Sequence, residues 1–290
     1  MKKGMLLIFG VAAMLIFACA PIENRETAGK LLSGTDLQVD VHQTTTGGNQ
    51  IAMINSTPGV SGMFDYLIAQ STRKNDTILL PFLGTSTITF YGTSAGGVVK
   101  YTKDIIVTTI DHPTDTMWTN LAGTGTKTWV WATDIPGGNC YGNGAFEGNY
   151  APGWWTCKAA DLAGWGCLND QMTFDLIGKA NYTLVTGNIG VDGKPAGTYK
   201  GIFSFDMKTR LKLPDGTDYS VGVLTPGDVV SRGFQPNGGT AGNRPNIYTY
   251  NFLRINADQM YLVVPEPGAG QWGTAWFWMF KRSGYAYPTK

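Results

Sequence analysis

Charge is scarce in this chain: Asp, Glu, Lys and Arg make up 15% of its 290 residues, against about 25% in an ordinary soluble protein. Basic and acidic residues number 22 and 21, so no net positive field is available to hold a phosphate backbone, and nucleic-acid binding is excluded as a main role. Histidine is nearly absent. His42 and His112 are the only two, and neither a His-Glu-x-x-His nor a Cys-x-x-Cys pattern occurs, which removes sequence support for a transition-metal site. Glutamate is confined to positions 23, 26, 147 and 266. No apolar run approaches the roughly 20 residues that a membrane-spanning helix needs. Tryptophan is missing from the first 117 residues, and all nine copies follow.

Against these absences stand 39 glycines, 14 prolines and an aromatic fraction of 12% within a hydrophobic fraction of 43%. That composition supports a packed, turn-rich core and excludes both disorder and a long helical bundle. The start of the chain reads as an address. Lys2 and Lys3 precede an apolar stretch at residues 5–17, which ends in Ala18-Cys19. A small residue before cysteine resembles a bacterial lipoprotein cleavage site, so residues 1–19 are expected to be a signal peptide with Cys19 as the lipidated residue. Residues 20–33 are polar and aperiodic, and are read as a flexible linker.

The change in tryptophan content near His112-Pro113 predicts two domains, at 34–112 and 113–290. In both, short alternating runs between Gly/Pro clusters predict strands: Leu-Gln-Val-Asp-Val (37–41) and Ile-Thr-Phe (88–90) in the first, Lys-Thr-Trp-Val-Trp-Ala (127–132) and Gln-Met-Thr-Phe (171–174) in the second. Ala-Trp-Phe-Trp-Met-Phe (275–280) is apolar on both faces and is expected to be a central strand, with Trp129, Trp131, Trp276 and Trp278 in the core. The fold class is therefore all-β, an immunoglobulin-like sandwich followed by a larger β-sandwich or jelly-roll.

Asn-Ser-Thr-Pro-Gly (55–59), Phe64-Asp65-Tyr66, Gly-Thr-Ser-Thr-Ile-Thr-Phe (84–90) and Gly96-Gly97 resemble the PKD-like domain that opens surface lipoproteins of Bacteroidetes polysaccharide-utilisation systems. The family places Gly after its aromatic-Asp-aromatic segment, where this chain has Leu67. Gly-Thr-Lys-Thr-Trp (125–129), Trp154-Trp155 and Asn-Asp-Gln-Met-Thr-Phe (169–174) resemble the C-terminal domain of the same proteins. The resemblance implies a lipid-anchored, non-catalytic, outer-membrane protein facing the cell surface that captures polysaccharide, with a glycan transporter complex as a partner. A sandwich-fold glycoside hydrolase, a structural or assembly subunit, and a lipocalin-type barrel around a small apolar ligand remain the alternatives.

Residues 134–170 read as a long loop, too glycine-rich at 137–150 for a strand. A sugar ring presents an apolar C–H face and a hydroxyl fringe, so aromatic rings with amide, carboxylate or guanidinium groups beside them suit it. The candidates are Trp165, Trp154, Trp155, Tyr141, Tyr150 and Trp272, with Asn143 and Asp170 on the fringe and Asn139, Asn149, Arg232 and Arg244 as weaker edge groups. Paired carboxylates for hydrolysis would have to be Asp170 with Glu147 or Asp134. Of Cys140, Cys157 and Cys167, loop closure favours a Cys157–Cys167 disulfide, against the alternative of three reduced, buried thiols. The acidic turns at 111–115 and 134–143 have the oxygen ligands that Ca²⁺ takes, but also those of ordinary turns.

Overall fold

The computed structural model describes residues 29–188, 194–233 and 249–288; Cys19, the signal segment and Arg244 lie outside the described residues. Seven strands come first: β1 (Val39–Gln43), β2 (Gln50–Asn55), β3 (Ser61–Asp65), β4 (Gln70–Ser71), β5 (Asn75–Leu79), β6 (Gly84–Ser94) and β7 (Gly97–Val107). They form two antiparallel sheets, β1-β2-β5 and β4-β3-β6-β7, which is an immunoglobulin-like sandwich. Alternation in β2 sends Ile51 and Met53 inward, where they join Phe64, Ile88 and Phe90 of the other sheet. His42 lies on the exposed side of β1, with its Nδ1 2.9 Å from Asp40.

The expectation of a flexible linker through residue 33 is corrected where the chain is described. Gly29 donates its N–H to Ala95 O at 3.1 Å, and Ser33 caps a single 3-10 turn, Gly34–Asp36, through Asp36. Residues 29–36 thus lie against the β6–β7 hairpin.

The second unit runs α1 (Thr116–Ala122), β8 (Thr126–Trp131), β9 (Tyr141–Ala145), β10 (Thr156–Cys157), α2 (Ala159–Gly164), β11 (Gln171–Asp175), β12 (Asn181–Thr186), β13 (Gly197–Ile202), β14 (Ser204–Asp206), β15 (Gly222–Thr225), β16 (Tyr250–Ile255), β17 (Gln259–Pro265) and β18 (Thr274–Arg282). Its strand path is β13-β12-β11-β8-β18-β17-β16-β15-β14. The two ends of that path are one stretch of chain interrupted only at Phe203, so the sheet folds back and its halves face each other across one core. At this corner Gly201 and Gly227 approach so closely that a Cβ on Gly201 would sit 2.7 Å from the Gly227 Cα. A side chain at either position would separate the closing backbones.

Facing register pairs fill the interior: Met172 with Trp129, Phe280 with Trp131, Leu262 with Trp278, Phe174 with Tyr182. Sequence alternation foresaw Trp129, Trp131 and Trp278 as core, and all three are buried. The end strands β13 and β14 are joined by chain at Phe203 but do not pair, so the sheet folds back without the closure a lipocalin-type barrel requires, and side chains occupy the interior where such a fold would hold a ligand. Helix α1 plugs one end. Asp115 Oδ1 caps its start by accepting from Met117 N at 2.7 Å, and Lys127 Nζ donates to Thr119 O and Asn120 O at 3.1 and 2.6 Å at its other end. Trp129 Nε1 donates to Leu121 O at 2.8 Å.

The two units share a hydrogen-bonded joint. Leu83 N donates to Leu176 O at 2.9 Å, Gly178 N donates to Leu83 O at 2.6 Å, and Ser86 Oγ donates to Gly178 O at 2.8 Å. The Phe82 ring meets Trp118 at 5.8 Å, and Trp118 packs on Phe205 at 4.4 Å. Asn49, fully buried, holds the connecting segment: its side chain donates to Leu80 O and His112 O at 3.1 Å each and accepts from His112 N at 2.9 Å. Replacing it strands three backbone groups away from water. Asn49→Ala is expected to lower unfolding stability by about 2 kcal/mol, measured by urea denaturation; a loss within error of zero would show that water replaces the amide.

Candidate functional site

The segment expected to be too rich in glycine for a strand contains β9, which pairs with β18 from Thr274↔Ala145 to Trp278↔Tyr141. Its glycines answer to the chain along its other edge, where β10 pairs antiparallel with β9 at Thr156↔Gly142 and Cys157↔Tyr141. A Cβ on Gly142, whose φ is 149°, would lie 2.0 Å from Trp155 O, and one on Gly144 would lie 2.9 Å from Asn149 Oδ1. The chain at 153–157 can therefore run close along the edge of β9. Asn143 then orders it. Its Oδ1 accepts from Trp155 N at 2.9 Å, its N donates to Trp155 O at 2.9 Å, and its O accepts from both Gly153 N and Trp154 N at 3.0 Å. After β10, the Asp161 carboxylate accepts from Lys158 N at 2.8 Å and starts the one-and-a-half-turn α2, which delivers Trp165 at its end.

These elements gather aromatic rings around Tyr141. Trp155, Trp165 and Trp276 lie at centroid distances of 6.1, 6.4 and 5.9 Å from it, the first two edge-on and Trp276 stacked. Trp155 is 6.0 Å from Trp165 and 5.9 Å from Trp276. The Arg232 guanidinium lies 4.0 Å from the Trp165 ring centroid, a cation–π contact, and Trp276 Nε1 donates to Glu266 at 3.1 Å. Trp155 is 45% and Trp154 55% exposed, while Trp165 and Trp276 are half-buried. The result is a surface patch of indole rings with a guanidinium and a carboxylate among its neighbours.

Several sequence candidates take other roles. Tyr141 is 1% exposed and backs the indoles, so it has no face to offer a ligand. Asp170 is 2% exposed, accepting from Gly187 N at 2.8 Å and from Ser231 Oγ at 2.6 Å, which makes it an interior tie between loops. Asn143 spends its amide oxygen on backbone. Tyr150 and Trp272 stand apart from the Tyr141 cluster, Tyr150 against Tyr219 at 5.2 Å and Trp272 over Gly148. Trp276, read as core, lies at the cluster; its place opposite Asn143 near the start of β18 was not visible without the β9 pairing. Glu266 had no sequence signal.

The expected Cys157–Cys167 disulfide is not present: Cys140, Cys157 and Cys167 are all free and buried. Cys140 Sγ lies 3.6 Å from Cys157 O and Cys167 Sγ 3.6 Å from Leu162 O, so two thiols point at carbonyls. Burial pushes Cys140 and Cys157 up to about 12 and Cys167 to about 11, which keeps them protonated. Hydrogen bonds, not a covalent bridge, order this segment. The carboxylates considered for hydrolysis also go separate ways. Asp134 pairs with Lys281 at 2.6 Å and accepts from Tyr287 N at 3.0 Å, Glu147 occupies a left-handed turn, and Asp170 is interior. Asp111 and Asp115, considered for Ca²⁺, accept from Asn49 N and Met117 N; among the described residues no group of three His, Cys, Asp or Glu is placed to hold a metal. A separate groove of about 680 Å³ lies in the first sandwich, lined by Asn55, Thr57, Arg73, Lys74 and Phe90.

No protein-family model matches the chain, and no curated protein does. A solved structure from work on the promiscuous specificity of carbohydrate-binding modules of the β-sandwich superfamily aligns with 85% of this chain and 90% of its own, at 10% identity and a TM-score of 0.22. A likeness at that score carries no argument about this chain.

Burial raises the Asp170 carboxyl above its ordinary 3.8, opposed by the hydrogen bonds from Ser231, Thr186 and Gly187. The folded protein then keeps a proton that the unfolded chain has released, so stability falls as pH rises from 3.8 through the raised titration range. Asp170→Asn is expected to remove that contribution, so that from acid to neutral pH the melting temperature of the variant rises more, or falls less, than that of the wild type; identical pH profiles would mean that the carboxyl is ionised throughout.

Proposed function

We propose that the chain is a non-catalytic glycan-binding protein, tethered by lipid at Cys19 to the outer membrane and facing the cell surface. The observation that carries this reading is the partly exposed indole group of Trp155, Trp165 and Trp276, pinned around the buried Tyr141. Indole faces match the apolar C–H face of a pyranose, and their fixed positions reduce the ordering entropy lost on binding. Trp165 is the stacking platform, with Arg232 behind it and Trp155 beside it. The first sandwich acts as a strut between anchor and site, because the Leu83–Ile177 bridge and the Phe82–Trp118 contact join it to the second unit. Affinity at one such patch is modest, and many tethered copies, beside a glycan transporter, make it effective through local concentration.

Native gels cast with soluble β-glucan, xylan, galactomannan or starch test the reading. One glycan class should retard the protein, Trp165→Ala should weaken that retardation about tenfold while still unfolding in one cooperative transition, and no reducing ends should appear. Equal retardation of the variant removes the site, and sugar release replaces the reading with a hydrolase.

A further inference from the structure

A second group of exposed rings lies at the start of β18. Trp272 is 64% exposed and Tyr150 52%. Neither is loose. Trp272 N donates to Phe146 O at 2.9 Å and Phe146 N donates to Gly273 O at 2.7 Å, which extends the β9–β18 ladder past Thr274↔Ala145. The Trp272 ring lies so close over Gly148 that a Cβ there would be 2.9 Å from two of its ring carbons. Tyr150 rests on Tyr219, whose hydroxyl donates to Asn149 O at 2.6 Å, and Tyr219 is edge-on to Phe146 at 5.6 Å.

The backbone here is strained to achieve this. Only four non-glycine described residues have left-handed φ: Leu67, Glu147, Arg232 and Trp272. Glu147 and Trp272 face each other across this corner, at φ 57° and 64°, and Arg232 is the residue behind the Trp165 ring. A bulky side chain in that region is an outlier. The strain is kept at an indole that leaves most of its surface in water, and such strain gathers where a ligand is met. Trp272 and Trp276 are four residues apart, at most about 14 Å of chain, so one polymer running beside β18 reaches both ring groups.

We propose that Trp272 and Tyr150 form a second sugar-stacking subsite, and hence that the ligand is an extended stretch of glycan, several units long, and not a single terminal sugar. This rests on the glycan-binding reading above. The two ring groups share one polymer, each stacking on a different unit of it.

The test uses the full chain lacking its signal segment and the oligosaccharides, from disaccharide to octasaccharide, of whichever glycan class retards it. Trp272→Gly is the variant of choice, because glycine adopts φ 64° freely; its melting temperature should match or exceed that of the wild type. Tyr150→Ala is the second variant. Titration calorimetry should show affinity rising about tenfold with chain length, with both variants abolishing the rise while binding the shortest ligands as the wild type does. The inference is overturned, with the glycan reading intact, if wild-type affinity does not depend on length, if both variants keep the full rise, or if they weaken short and long ligands equally. Absence of binding to every glycan by the wild type overturns both.

Discussion

Strand β18 is the constraint on which the second unit depends. One of its edges pairs with β17 throughout, while the other is shared, β8 taking residues 280–282 and β9 taking 274–278. Both of its faces are covered: Trp278 and Phe280 join the interior, and Phe277 and Met279 are buried on the opposite side. A strand so engaged has no freedom of register, since a one-residue slip would exchange its faces and break three sets of pairings. Trp276 and Trp278 are consequently set at a fixed height beside Tyr141, and Trp272 at the strand's entry. Both aromatic groups are measured off the same strand.

Close approach is the second organising element. Gly142 and Gly144 let the 153–157 segment run close along β9, Gly148 lets the Trp272 indole approach it, and Gly201 with Gly227 lets the sheet turn back at Phe203. In each case the missing Cβ admits another group at a distance that any side chain would forbid. Hydrogen bonds then fix what the glycines admit. Asn143 joins β9 to Gly153, Trp154 and Trp155, and Asp170 joins the loops at Gly187 and Ser231. The rings at the surface therefore stand on a framework of buried polar contacts, and the three thiols of the same segment are buried and protonated.

The joint between the two units gives that framework a direction. The Leu83–Ile177 bridge joins the units directly and Asn49 holds the connecting segment at His112, while Trp118 ties Phe82 to Phe203 and Phe205, at the corner where the sheet turns back. The described N-terminal residues meet the far end of the first sandwich, at the β6–β7 hairpin. The second unit is thus held at one end of the first and the chain enters at the other.

The sequence by itself determined the all-β class, the two-sided burial of β18 and the inward turn of Trp129, Trp131 and Trp278, because strand periodicity and side-chain hydrophobicity are local properties that any sheet must respect. Trp154 and Trp155, within the long aromatic stretch, are exposed. Tertiary structure alone decided that residues 141–145 form a strand, since glycine's local cost there is offset by pairing with β18 on one edge and with the 153–157 segment on the other. It alone placed Tyr141 and Asp170 inside, left the thiols unbridged, and divided one set of aromatic candidates into two groups along β18. Whether a ring faces water or a neighbour depends on which distant strand lies beside it, and the register that brings Trp278 to Tyr141 spans 137 residues of chain.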